Sequence, residues 1–89
     1  MKAIISVVGK DTVGILAFVS DKCLKSHANI VEVSQTVLQE YFAMIMAIDI
    51  SSLNIDFIDF VNDIEESGKA RNLDIHVMHE DIFNAMHKI

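Results

Sequence analysis

The tightest constraint on this chain is the run Gly9-Lys10-Asp11-Thr12-Val13-Gly14-Ile15. It follows the apolar residues Ile4, Ile5, Val7 and Val8 and precedes a stretch whose apolar residues recur at helical spacing. The chain therefore leaves a strand and enters a helix here, and two of its three glycines stand at this passage. Asp11 occupies the expected helix N-cap, with Thr12 as the first helical residue; its carboxylate would accept from the N–H of Val13 or Gly14.

The remaining elements read outward from that turn. Lys2–Val8 is a strand apolar on both parities, expected to be buried on both faces. The first helix runs to about His27, with Leu16, Val19, Cys23 and Leu24 as its apolar stripe, widened by Ala17 and Phe18. Lys25 and His27 fall in its last turn, where the helix dipole favours them. Ile30–Glu40 is a strand of imperfect alternation, which allows a bulge. Tyr41–Ile50 is a second strand, and the turn between them falls within Leu38–Tyr41 without the usual Asn-Gly or Asp-Gly. Ser52 or Asn54 caps a second helix whose apolar face is Phe57, Phe60, Val61 and Ile64, with Gly68 in or closing its last turn. Leu73, Ile75 and Val77 alternate with Asp74, His76 and Met78 in a last strand. A short tail helix follows, with Ile82, Ala85, Met86 and Ile89 at helical spacing.

The order is β-α-β-β-α-β. It predicts an α+β, ferredoxin-like βαββαβ sandwich: a four-stranded antiparallel sheet with two helices on one face, plus the short C-terminal helix. The absence of proline and of any low-complexity linker makes residues 1–89 one domain. One sheet face is left open, and Tyr41–Ile50 is apolar on both parities, so one set of its side chains would meet water. Either the tail helix covers that face and the protein is a monomer, or the face is an interface. The hydrophobic content of 52%, high for 89 residues, favours a symmetric homodimer.

Thirteen acidic residues against seven basic ones leave a net charge of −6 and no basic run, which speaks against nucleic acid and against an anionic membrane. No apolar stretch is long enough to span a bilayer. The apolar N-terminus reads as a strand and not as a signal segment. A lone cysteine, Cys23, rules out an internal disulfide. These features point to a cytoplasmic protein.

Backbone N–H groups at a helix start favour an anion, whereas Asp11 favours an ammonium. A zwitterion such as an amino acid answers both; the plainer alternative is a capped turn with packing glycines. In that account Gly9 supplies an unusual dihedral and Gly14 allows close approach. The histidines do not make a metal site. His79-Glu80 begins a zinc-protease pattern, but Phe83 stands where its second histidine belongs, and His76 and His79 fall on opposite strand faces. Cys23 lies on an apolar stripe and reads as core. Met44, Met46, Met78 and Met86 read as core or interface filler, and the acids of the second helix as a solvated face. No nucleophile–base pair stands out, so the chain is not expected to be an enzyme, and no cofactor is expected.

Gly9-Lys10-Asp11-Thr12-Val13-Gly14-Ile15, followed after one helix by Asn29-Ile30, resembles the ACT domain, a small regulatory module that binds amino acids. The resemblance covers essentially the whole chain. It is closest to the stand-alone ACT proteins and, in the loop, to the ACT units of glycine-cleavage-repressor-like proteins and formyltetrahydrofolate hydrolases. It implies a dimer with a small-molecule ligand between the first loop of one subunit and elements of the other. The contacting positions it implies are Gly9, Asp11, Val13, Gly14, Ile15 and Asn29. Two positions depart from the pattern: Val13 stands where many ACT loops have proline, and His27-Ala28 where many have glycine. Histidine tolerates positive φ better than most residues, so His27 is the residue expected to take the glycine's role. The competing reading is a ligand-free module that binds another protein through the sheet face or the tail helix.

Overall fold

The computed structural model describes residues 1–10 and 14–86. The elements are β1 (Lys2–Gly9), α1 (Ile15–Lys25), β2 (Asn29–Leu38), β3 (Tyr41–Asp49), α2 (Phe57–Ala70), β4 (Asp74–His79) and α3 (Glu80–Met86). The four strands form one antiparallel sheet in the order β2-β3-β1-β4, the ferredoxin-like arrangement expected from the element order.

The two parities of β3 part cleanly, while in β1 the open-side Ile4 is buried as well and Val8 is exposed. Ala3, Ile5 and Val7 of β1 and Phe42, Met44, Met46 and Ile48 of β3 are buried with Ile15, Val19 and Cys23 of α1 and Phe60 and Ile64 of α2. Tyr41, Ala43 and Ile45 face the other way and are exposed. The bulge allowed by the imperfect pattern lies between Ile30 and Glu32. By adding one residue there it puts Ile30, Val33 and Val37 opposite Ile48, Met46 and Phe42, so the apolar residues of β2 share the helix-bearing side. The hairpin loop is Gln39-Glu40, within the expected bounds, and Gln39 carries the left-handed conformation (φ 57°) in the absence of glycine.

Several local expectations are corrected. The stripe of α1 is centred on Ile15, Val19 and Cys23, while Leu16 and Leu24 are exposed. The N-cap of α2 is Asp56, in extended conformation, and not Ser52 or Asn54. Asn54 serves α1 instead: its side-chain amide donates to the Lys25 carbonyl and its backbone N–H to that of Ser26, satisfying the C-terminus of the first helix. In α3 the inward residue is Phe83, half-buried, whereas Ile82 and Met86 are exposed; Ile89 lies outside the described residues.

Both α1 and α2 end in the same way. Ala28 N–H donates to the Cys23 carbonyl and His27 N–H to that of Leu24, with His27 at φ 59°. Leu73 N–H donates to Gly68 and Asn72 N–H to Lys69, with Asn72 at φ 61°. These are Schellman closures built without glycine, and His27 holds the position assigned to it from sequence. Gly68 is buried inside the last turn of α2, where a Cβ would stand 2.5 Å from Ile75 Cδ1.

The two sheet edges are treated differently. β4 is short, and its Val77 N–H donates to the Glu65 carboxylate of α2 at 3.1 Å. β2 is ten residues long, exposed throughout, with Glu32 as its one charged residue.

Candidate functional site

The site is built where β1 ends and α1 begins. Gly9, the last residue of β1, is buried and packed against Leu73, whose Cδ2 would lie 2.5 Å from an added Cβ. Its φ is not positive, so close packing and not an unusual dihedral requires glycine here. Gly14 carries the unusual dihedral: it is the N-cap of α1 at φ 76°, exposed, and no side chain among the described residues caps the helix. The roles expected of the two glycines are thus exchanged at Gly9. A cap at Asp11 is replaced by one at Gly14; Asp11 and Val13 themselves lie outside the described residues.

The first intrahelical bond of α1 runs from Phe18 N–H to the Gly14 carbonyl at 2.9 Å. The N–H groups of the first turn ahead of it are those that a helix leaves without an internal acceptor. Ile15 points inward and is buried, anchoring the turn in the core.

Beside this turn stands a residue that sequence reasoning did not single out. Arg71, at the C-cap of α2, lays its guanidinium over the Phe18 ring, 4.5 Å from the centroid. Its Nη2 is the nearest atom an added Cβ on Gly14 would meet, at 3.9 Å. No carboxylate among the described residues forms an ion pair with Arg71. On the same end of the sheet Lys10 sits over the Tyr41 ring at 5.6 Å. Arg71 is thus the cation beside Gly14, in a chain of net charge −6, while Lys10 over Tyr41 lies on the open side of the sheet. The signal in sequence was only that Arg71 closes α2 near a cap; the contact with α1 is tertiary.

Asn29 lies elsewhere. It opens β2 and pairs with Asp49, which pairs in turn with Lys2, at the start of β1. Gly9 pairs with Phe42 and Phe42 with Val37, at the far end of the sheet. Within one chain, Gly9, Gly14 and Ile15 come together, and Asn29 stands a full strand length away. A hollow of about 240 Å³ lined by Leu24, His27, Ala28 and Asn29 opens there, beside the edge strand.

The other candidates resolve simply. His76 faces the open side with its Nε2 3.0 Å from Asp74 Oδ1. His79 stacks its ring 4.4 Å from Phe57 on the helix side. The described residues hold no cluster of three or more metal-ligating side chains. Cys23 is fully buried, and burial pushes its thiol from 9.0 up to about 11. Among the described residues no helix is long and apolar enough to cross a membrane.

The family model of the ACT domain matches residues 2–78. The UPF0237 protein of Listeria innocua is similar throughout, 44% identical over 89 residues and covering all of both chains. Among solved structures, an ACT domain protein from Streptococcus pneumoniae superposes with a TM-score of 0.81 at 45% identity, over 98% of each chain. A putative glycine cleavage system transcriptional repressor superposes with a TM-score of 0.76 at 10% identity, over 85% of this chain and 44% of that one, and so shares the fold.

Proposed function

The chain belongs to the ACT domain family, the small-molecule-binding regulatory modules, and on that premise we propose that it is an amino-acid sensor that works as a homodimer and performs no catalysis of its own. The observation that carries this reading is the Arg71 guanidinium held over Phe18 beside the open turn at Gly14. A carboxylate at that turn would meet the free N–H groups of α1 and a planar cation with matching geometry. Asp11, next to it in sequence, would receive the ammonium. Among the described residues, an added Cβ on Gly14 would meet only Arg71 Nη2, at 3.9 Å.

The dimer follows from the edge of the sheet. Monomeric proteins blunt long edges with prolines, lysines or a covering element. β2 has no proline and no lysine, and Leu16, Leu24, Ile30, Val33 and Val37 are exposed on the same side of it. Pairing two β2 edges antiparallel about a two-fold axis would cover this surface. It would also bring Asn29 of the partner subunit to the end of the sheet that carries Gly9, Gly14 and Arg71. The residues that lie apart in one chain would then contribute to one site between two, with the chain acting as a single domain in each subunit.

The test is thermal unfolding of the protein against the common amino acids and folate derivatives. Saturating a site at about 100 times its dissociation constant adds roughly 2.7 kcal/mol, so one amino acid is expected to raise the midpoint by several degrees. The rise is expected to vanish in Arg71→Gln and in Gly14→Asn, which keeps the left-handed backbone while filling the space. No rise with any compound would overturn the sensor reading in favour of the protein-interaction module.

A further inference from the structure

The open face of the sheet holds a concavity of its own, away from the loop and under α3. A cavity of about 390 Å³ has Ile4, Ser6, Ile45, His76 and Met78 along the strands, with Phe83 and Met86 from α3 above them. A second hollow of about 270 Å³ continues toward β2 and shares Ile4, Ile45 and Phe83. The larger volume falls in the range of small-molecule sites, which combine apolar walls with few convergent polar groups.

In the larger cavity the polar groups are two, and they are adjacent, while Glu32 and Ser34 line the second hollow. Ser6 and His76 are cross-strand partners, so their side chains leave the sheet side by side. Asp74 lies 3.0 Å from His76 Nε2. A neutral imidazole that donates this N–H to the carboxylate leaves Nδ1 as an acceptor. The remaining walls are a ring, two thioethers and two branched aliphatics, a lining that adapts to a flat apolar body.

We propose that this cavity binds a flat aromatic ring carrying one hydrogen-bond donor, of the indole or phenol kind, with its donor on Ser6 and His76 and its ring against Phe83, Met78 and Met86. The site is independent of the loop site and needs neither Gly14 nor Arg71.

The experiment is methyl NMR of the full chain labelled at methionine, titrated with indole, with phenol, and with benzene as a ring that has no donor. Met78 and Met86 are expected to shift saturably with indole or phenol. Met44 and Met46, buried on the opposite face, stay still. Ser6→Ala and His76→Ala each weaken indole about three- to tenfold and leave benzene unchanged. Ile45→Trp, at a position exposed enough to spare the core, fills the cavity and abolishes the shifts. The proposal is overturned if the two methyls do not move, or if the alanine variants leave indole binding unchanged or weaken benzene as much as indole. It is equally overturned if the methyls move with protein concentration alone, which would mark the face as covered by a second copy, or if the shifts persist in Ile45→Trp.

Discussion

At position 27 a histidine sits where the backbone asks for glycine. With φ at 59° it closes α1, and a residue with a Cβ is strained there by about 1–2 kcal/mol. His27→Gly is therefore expected to raise stability by about 0.5–1 kcal/mol, after the greater freedom glycine gains in the unfolded chain is deducted; urea unfolding measures it. This residue was legible in the sequence because the ACT pattern marks a position and histidine is among the few side chains that tolerate it. The glycines of the loop were less legible. Sequence shows that a glycine is needed but not whether a dihedral or a neighbour needs it, and at Gly9 the reason is Leu73, which arrives from α2's far end. The contact of Arg71 with Phe18 was not legible, since it joins the end of α2 to α1, distant in sequence. Cys23 behaves as core. Burial pushes its thiol up from 9.0 to about 11, so its contribution to stability is complete below about pH 9 and is lost as pH rises toward 11. The loss amounts to roughly 2–3 kcal/mol, seen as a falling unfolding midpoint that Cys23→Ala no longer shows in that window.

At the scale of elements, the order was readable from the breaks between segments, and the period of two was readable in β4, whereas β3 is apolar on both parities and did not say which set faces the helices. The bulge in β2 was readable as a fault in that period. Helix starts were not, since Asp11 and Ser52 satisfy local capping rules that the tertiary structure overrides with Gly14 and Asp56. The tail helix has apolar residues on more than one side, and periodicity alone did not select Phe83. Close packing of α2 on β4 rests on Gly68. Gly68→Ala would place a methyl 2.8 Å from Ile75 Cγ1, and overpacking of this kind costs about 1–3 kcal/mol. The expected result is a lower urea midpoint with an unchanged slope; a neutral effect would mean that α2 and β4 separate easily.

At the scale of the molecule, an acidic chain of 89 residues leaves one sheet edge capped by Glu65 and the other uncovered. If β2 is where two copies meet, charge placed beside it separates them without unfolding either. Leu24→Glu with Val37→Glu places like charges opposite one another across the two-fold at two exposed positions, and light scattering is expected to show a monomer that retains its far-ultraviolet dichroism. A variant that remains a dimer would place the contact on the open face instead.

A ligand site shared between two subunits would join Gly14 and Arg71 of one with Asn29 of the other. Calorimetry on mixed variants addresses it directly, using the amino acid that raises the unfolding midpoint most. Arg71→Gln and Asn29→Ala, each alone, are expected to bind nothing. After subunit exchange, half the dimers carry one of each chain, and each of those holds one intact site, so about one quarter of the wild-type capacity returns. Full binding by Asn29→Ala alone, or no recovery in the mixture, would contradict a site shared between subunits.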